Sequence, residues 1–215
     1  MNDQITQITL ENNRCEMKGA YTMMDEPRII TETAAGTNCT MLGDDMLSNR
    51  EVMCIGDINF ASVNSLINQI RYLAHKDSEK EITMFISSPG GEISSGLALY
   101  DVMQAVKCPI RTVCVGMASS MAALLFAAGD RREMLPHARV MIHDPLIYAG
   151  MGGSALEIKK RSDDLMLTRR ITGEILAKHT GRTVEEIYEK TAQDTYFYAE
   201  EAIEFGLADG IVTEI

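Results

Sequence analysis

Short apolar runs alternate with helix-like segments along most of this chain, and that alternation limits the folds open to it. The apolar run at 52–55 ends in Gly-Asp, and apolar residues then recur at helical spacing over 63–73. A second apolar run at 82–86 precedes another helical segment at 97–106. Strands and helices alternating in units of this length are typical of right-handed βαβ crossovers, so the sequence predicts the α/β class.

The same alternation continues into the second half of the chain. Further strands and helices are predicted at 110–115, from 121 onward, at 139–142 and at 155–179. Gly181 is a typical residue for the C-terminal cap of the last of these helices. Thr183 and Glu186 have the spacing of a capping box, which predicts one more short helix.

The first 43 residues have a different character. They are rich in Thr, Asn and Glu, contain only short apolar stretches, and carry a turn signal at 36–38. We therefore expect a weakly structured N-terminal arm over 1–43 and a single α/β domain over 44–215.

Composition and charge exclude several classes of function. A net charge of −11 argues against nucleic acid as a partner, because phosphate binding requires a basic surface. The five cysteines show no zinc-like spacing, so we expect reduced thiols and no metal site. Neither a signal peptide at 1–10 nor a run long enough to span a bilayer is apparent, which predicts a cytoplasmic protein away from the membrane.

A glycine pair follows the predicted strand at 82–86, in the sequence Ser-Pro-Gly-Gly at 88–91. Adjacent glycines permit positive φ angles and allow a ligand to approach backbone N–H groups closely. A simple strand-to-helix turn explains the same residues, since Pro-Gly-Gly is common in turns. The pair is thus a candidate site that the local sequence does not decide.

A serine pair follows the predicted strand at 110–115, in the sequence GMASSM at 116–121. A serine in the first turn of a helix lies where free N–H groups favour negative charge, as a nucleophile requires. A helix cap explains the pair as well, and spacing does not choose between Ser119 and Ser120.

A serine nucleophile needs a general base, and His143 is the favoured candidate. It closes the predicted strand at 139–142, so it can lie beside a serine at the end of a neighbouring strand, although a single histidine on an apolar strand often has only a structural role. His75 and His179 are expected to be exposed to solvent near charged helix ends, and His137 is expected in a turn after Pro136. Spacing leaves the orienting carboxylate open among Asp144, Asp163, Asp164 and Asp194.

Four motifs, taken in order, resemble those of the Clp protease proteolytic subunit family. They are ISSPGG at 86–91 with Gly96, GMASSM at 116–121, Leu-Pro at 135–136 with VMIH at 140–143, and TAQD, AEEA and FGLAD within 191–209. Their order and spacing agree with the family over 44–215. The chain is therefore similar to that family across its predicted α/β domain.

The resemblance implies a serine peptidase. Its triad would be Ser120 as nucleophile, His143 as general base and Asp194 as orienting carboxylate. The backbone N–H groups of Gly91 and Met121 would form the oxyanion hole. No metal or organic cofactor is implied in this subunit, because ATP is used by a partner unfoldase.

The family also implies a fold, a substrate and an assembly. The fold would be a crotonase-like α/β spiral with a protruding handle, formed by 150–153 and the helix after it. Unfolded protein would bind as an added β-strand along Gly90, Glu92 and Ile93. The subunits would stack as two heptameric rings, a tetradecamer, fed by an AAA+ unfoldase.

The chain departs from the family pattern at Ala192 and Gln193. The family usually carries an acid and an arginine there, which form ion pairs between the rings. The departure predicts ring stacking through other handle contacts, or through a paralogous ring subunit.

Two other functions fit parts of the pattern. A catalytically quiet ring subunit would have a structural or regulatory role, although all three triad positions are present. A crotonase-type acyl-CoA hydratase or isomerase would share the fold and use a backbone oxyanion hole, but it has no need of a Ser–His–Asp set.

Overall fold

A computed structural model describes residues 6–9, 27–33, 36–147 and 152–215 of the chain. The chain divides into two compact units, Met1–Glu51 and Val52–Ile215. The predicted division between residues 43 and 44 stays a prediction. Part of the predicted handle loop at 150–153 lies outside the described residues.

The first unit contains a three-stranded antiparallel sheet. Its strands lie in the order β1 (Thr6–Thr9), β2 (Arg28–Thr33) and β3 (Gly36–Met41). Helix α1 (Leu42–Ser48) follows β3 directly. The polar sequence before residue 44 thus contains regular strands among the residues that the structure describes.

The rest of the chain alternates strands and helices, which confirms the predicted α/β class. The strands are β4 (Glu51–Ile55), β5 (Ile82–Ser88), β6 (Ile110–Ser119), β7 (Arg131–Met134), β8 (Arg139–Ile142), β9 (Thr195–Tyr198) and β10 (Gly210–Ile211). The helices are α2 (Phe60–Lys76), α3 (Ile93–Ala105), α4 (Met121–Ala127), α5 (Ala155–Thr180), α6 (Val184–Thr191) and α7 (Ala199–Phe205). Within the described ranges, no helix combines the length and apolar character needed to cross a membrane.

The long central strand β6 organises the main sheet. The strand order is β10-β7-β6-β5-β4, and β8 also pairs with β6. The first half of β6 pairs in parallel with β7, and its last residues, 117–119, pair in parallel with β8. Gly116, at φ 85°, lies between these two stretches, where a positive φ suits glycine. Strand β9 then pairs antiparallel with β8, which places three chain segments side by side.

Capping residues define where helices α5 and α6 begin and where α5 ends. Thr183 and Glu186 form the predicted capping box at the start of α6. Ser154 and Glu157 form another at the start of α5, and Gly181 ends that helix at φ 71°. These side chains satisfy N–H groups that lack partners within a helix, so they set where each helix begins.

Helix α4 is the centre of the core, because all seven of its residues are buried. It packs against β6, α3 and α5. Small residues such as Ala122 and Ala123 allow this close approach, while Leu125 and Phe126 fill the interior. Burying one large apolar side chain contributes roughly 1.5–3 kcal/mol to the free energy of folding. The packing of α4 therefore holds Ser120, the residue before the helix, firmly in place.

Strand β7 was not predicted, because its sequence RREM is mostly charged. The structure pairs these charges with neighbouring strands. Arg111 Nε lies 2.5 Å from Glu133 Oε2, and Arg131 Nη2 lies 2.6 Å from Glu81 Oε1. Charged residues that pair with partners distant in sequence give no alternating apolar pattern. The sequence of β7 therefore predicts a loop.

Arg132 ties three parts of the second unit together. Its Nη1 donates to the carbonyl oxygens of His179 and Gly206, each at 2.7 Å. Its Nη2 lies 2.5 Å from Asp209 Oδ1. The guanidinium therefore holds the C-terminal ends of α5 and α7 against β7.

We expect Arg132→Met to lower the free energy of unfolding by about 2–3 kcal/mol, because two carbonyls and a carboxylate lose their donor. Arg131→Met is the matched control on the same strand. Its side chain is 48% exposed, so its loss should remain below about 1 kcal/mol. Urea unfolding measures both variants, and equal losses would contradict the anchoring role of Arg132.

Candidate active site

Ser120 lies on a strained turn between β6 and α4. Its backbone has φ 57° and ψ −122°, a combination that non-glycine residues rarely adopt. Its N–H donates to Met141 O at 2.8 Å, which holds the turn against β8. A sharp strand-to-helix turn of this kind presents a serine side chain at the edge of a sheet.

His143 lies beside Ser120 because β6 and β8 run parallel. Ser119 pairs with Met141 in the ladder, so the residues after each strand emerge at the same edge of the sheet. The Nε2 atom of His143 lies 2.8 Å from Ser120 Oγ, a hydrogen-bond distance. The two residues favoured by the sequence are thus in direct contact.

Asp194 lies on the other side of His143 because β8 and β9 run antiparallel. Ile142 pairs with Thr195, so the next residue of β8 faces the residue before β9. Asp194 Oδ1 lies 3.5 Å from His143 Nδ1. The His143 side chain is 10% exposed and that of Asp194 is 59% exposed. The carboxylate therefore approaches the imidazole from the solvent side.

The other carboxylates that the sequence left open are engaged elsewhere or exposed. Asp144 accepts hydrogen bonds from Arg169 Nε at 2.6 Å and from Thr191 Oγ1 at 2.5 Å. Asp163 pairs with Lys159 on the surface of α5. Asp164 is exposed on the same helix. Of these candidates, the structure brings Asp194 to the free ring nitrogen of His143.

The remaining histidines do not contact Ser120. His75 is exposed, as expected, and His137 is exposed as well. The expectation of exposure was wrong for His179, which is half-buried, with its Nε2 3.2 Å from the hydroxyl of Tyr100. Burial, together with the charges of Lys178 and Arg132, lowers the pKa of His179 to about 4. This histidine therefore stays neutral near pH 7.

The glycine pair lies directly against the Ser120 turn. Gly90 is buried at φ 98°, and a Cβ added there would come within 2.7 Å of the Ser120 Cβ. Gly91 is exposed at φ 152°, and an added Cβ would overlap the carbonyl oxygen of Ile58. Both positions therefore require glycine, since they combine a positive φ with close contact.

Backbone hydrogen bonds hold the residues around Gly91 in place. Ile58 N donates to Gly90 O at 2.9 Å, and Glu92 N donates to Ile58 O at 2.7 Å. Within the described part of the chain, the N–H groups of Gly91 and Met121 have no backbone acceptor. Both groups are thus available at the edge where Ser120 lies.

Glu92 and Ile93 continue this segment into helix α3. The Glu92 carboxylate accepts hydrogen bonds from Ser95 Oγ at 2.6 Å and from Ser94 Oγ at 2.9 Å. The hydroxyl of Ser95, and then that of Ser94, lower the pKa of Glu92. Glu92 is exposed, whereas Ile93 lines the cleft beside Ser120.

Ser120 and His143 both line that cleft. Its walls are mostly apolar, formed by Ile93, Met121, Leu124, Ile142, Pro145 and Leu176. A polar group made of Asp144, Arg169, Tyr188 and Thr191 lines another part of it. Among the residues that the structure describes, no cluster of His, Cys, Asp or Glu is arranged to hold a metal ion.

The sequence did not point to the cleft residues contributed by α5 and α6. Arg169 and Tyr188 belong to helices that follow the histidine strand, and they meet only in the folded chain. Their helical spacing predicts a solvated or packed face and carries no signal of a site. Only the packing of these helices against the end of β8 brings them to His143.

The sequence matches the family model described as Clp protease over residues 34–215. The match includes Ser120, His143 and Asp194, together with the glycine pair at 90–91. It also begins ahead of residue 44, where the predicted α/β domain starts.

The strained backbone of Ser120 gives a testable expectation. We expect Ser120→Gly to be more stable than Ser120→Ala by roughly 1–2 kcal/mol, because glycine adopts a positive φ without the steric penalty of a Cβ. Both variants lack the hydroxyl, so the comparison isolates the backbone. Chemical denaturation measures the difference, and an equal or lower stability of Ser120→Gly would contradict strain at this turn.

Proposed function

Because this chain belongs to the Clp protease family, we propose that it is a serine endopeptidase subunit that hydrolyses peptide bonds of unfolded proteins. The family supports a peptidase-type function. The observation that carries the proposal is the 2.8 Å contact between Ser120 Oγ and His143 Nε2, on a turn that exposes the serine at the sheet edge. Nucleophile and base within hydrogen-bond reach are the signature of activated serine chemistry.

In the proposed acylation step, His143 Nε2 takes the proton of the Ser120 hydroxyl as Oγ attacks the peptide carbonyl carbon. Asp194 accepts a hydrogen bond from the Nδ1–H group of His143, which keeps Nε2 free as the base and stabilises the imidazolium that forms. His143 then gives its proton to the leaving amine. Water repeats the cycle and releases the acyl group from Ser120.

The tetrahedral intermediate needs hydrogen-bond donors for its oxyanion. The N–H groups of Gly91 and Met121 are the proposed donors, since Gly91 follows the glycine that lies against the Ser120 turn, Met121 directly follows Ser120, and neither N–H has a backbone acceptor among the described residues. Their rigid backbone requires no reorganisation as charge develops, and such preorganised donors are a major source of catalysis.

The cleft is the proposed binding site for the substrate side chain that precedes the cleaved bond. Its apolar wall, which includes Leu124 and Leu176, lies next to Ser120. Burial of an apolar substrate side chain there would favour binding by roughly 25 cal/mol for each Å² of apolar surface removed from water. Along Gly90, Glu92 and Ile93, the substrate backbone would bind as an added strand.

The proposed assembly is a pair of stacked heptameric rings that encloses the active sites. The exposed apolar side chains of α5 are the proposed contacts for self-association: Leu156, Ile158, Met166 and Leu167. Ala192 and Gln193 are exposed, so other contacts or a paralogous subunit must supply the stacking energy. An AAA+ unfoldase that uses ATP in the cytoplasm is the proposed partner, and the reaction itself uses no cofactor.

A fluorophosphonate probe tests the activity directly. We expect a single covalent adduct at Ser120, located by mass spectrometry. Labelling should be abolished in Ser120→Ala, and in His143→Ala it should fall about 100-fold or more because the base is lost. His75→Ala, which alters an exposed histidine, should label like the wild type.

Two results would overturn the proposal. A folded protein that never labels and cleaves no short peptide would be a catalytically quiet ring subunit. Turnover of an acyl-CoA that survives Ser120→Ala would instead indicate crotonase-type chemistry.

The oxyanion donors can be tested at Gly91. We expect Gly91→Ala to lower the labelling rate by roughly 10²–10³-fold, because a Cβ displaces this N–H from Ser120. Gly210→Ala is the matched control, since nothing lies within 4 Å of its added Cβ. Thermal unfolding separates lost catalysis from lost folding, and a folded Gly91→Ala protein with the wild-type rate would rule out this donor.

A further inference from the structure

A polar cluster forms around the residue that directly follows His143, and none of its members takes part in the proposed catalytic steps. Asp144 is its centre, with Arg169 and Thr191 as partners. Thr191 is 4% exposed, so its hydroxyl is a buried donor that requires an acceptor. The carboxylate of Asp144 provides that acceptor at 2.5 Å.

The cluster joins the two backbone segments that carry His143 and Asp194. Asp144 directly follows His143, and its N–H donates to Thr191 O at 2.8 Å. Thr191 ends α6, three positions before Asp194. The turn between α6 and β9 carries Asp194. At its other end, the Thr195 hydroxyl donates to Lys190 O at 2.6 Å. The turn that presents Asp194 is therefore held at both ends, and Asp144 makes one of these connections.

Helix α5 contributes a cation to the cluster. Arg169 Nε lies 2.6 Å from Asp144 Oδ2, and its guanidinium stacks 3.6 Å from the centre of the Tyr188 ring. The Arg169 side chain is 23% exposed and that of Asp144 is 33% exposed, so solvent screens this pair only in part. The carboxylate next to His143 is thus neutralised by a cation that is stacked on an aromatic ring.

The groups that face His143 come from several elements. The turn before β9 contributes Asp194, at 3.5 Å from the imidazole, while α5, α6 and the chain after β8 contribute Arg169, Tyr188 and Asp144, which line the same cleft as His143. The parts of α3 and α4 that line the cleft are apolar. Asp144 and Arg169 are therefore the two opposite charges that accompany the His143–Asp194 pair.

We infer that Asp144 is a positioning residue: anchored by Arg169 and Thr191, it sets the alignment of His143 with Asp194 and keeps the local charge beside the imidazole balanced. This inference rests on the proposed function, because it deepens the role of the same site. It assigns Arg169 and Thr191 to the support of the base, with no contact to the reacting atoms.

If the Asp144–Arg169 ion pair balances the charge beside His143, removing either partner should shift the pH–labelling profile in opposite directions. Asp144→Asn leaves Arg169 uncompensated, which disfavours the imidazolium, so the lower midpoint of the pH–labelling profile should fall by roughly 0.5–1 pH unit. Arg169→Met leaves Asp144 uncompensated, so the midpoint should rise by a similar amount. The double variant should return close to the wild-type profile.

Anchoring predicts a separate effect from the buried hydroxyl. Thr191→Val removes the hydrogen bond to Asp144 with little change in shape, and the plateau labelling rate should fall about 10-fold, because small displacements of catalytic groups are costly. Thr191→Ser keeps the hydroxyl and should restore most of the rate. A purely structural role would lower the melting temperature without this rescue or the opposite pH shifts.

Matched controls lie on the same helix. Arg170→Met removes the neighbouring arginine, whose side chain is 63% exposed and 4.0 Å from Glu174. Asp163→Asn removes the exposed partner of Lys159. Both controls should keep the wild-type pH profile and plateau rate.

A ring-nitrogen NMR measurement separates this inference from the proposed function. In ¹⁵N-histidine-labelled protein, with His143 assigned through His143→Gln, we expect Thr191→Val and Asp144→Ala to shift the Nδ1 and Nε2 signals of His143. Unchanged signals would overturn the inference even in a protein that never labels. Wild-type labelling, with pH midpoints unmoved in both ion-pair variants, would overturn it and leave the peptidase proposal intact.

Discussion

The pairing of β8 with two different neighbours is the constraint on which the candidate site depends. Its parallel ladder with β6 places His143 beside Ser120, and its antiparallel ladder with β9 places Asp194 opposite His143. Strand register is specified by which face of the sheet is buried, and a shift of one residue would turn each side chain to the other face. The same backbone hydrogen bonds that stabilise the sheet therefore also determine the distances at the site.

The strain at Ser120 is tolerated because its surroundings are rigid. The buried helix α4 follows it, and the hydrogen bond to Met141 holds it from the other side. Gly90 packs against the same turn, where any side chain would collide with Ser120. A strained residue persists only where packing and hydrogen bonds over-determine its conformation, as they do here.

Arginine side chains connect helices to other parts of the second unit. Arg132 holds the ends of α5 and α7 against β7, and Arg169 connects α5 to the chain after β8. A planar guanidinium can bind several acceptors at once, so a single side chain can connect elements far apart in sequence. Helix α5 therefore contributes to the site as well as to the surface proposed for self-association.

The sequence by itself determined the α/β class, the capping box of α6, the C-cap of α5, and a strand-end serine pair with His143 as candidates, because these follow from periodicity and local residue chemistry. The motif resemblance, and not periodicity, selected Ser120 over Ser119 and selected Asp194 among the carboxylates. Only the tertiary structure decided the charged strand β7, the half-burial of His179, and the cluster of Asp144, Arg169 and Thr191. Each of these depends on contacts between residues that are distant in the chain. Such contacts form only when the strands and helices pack together, so the local sequence does not predict them.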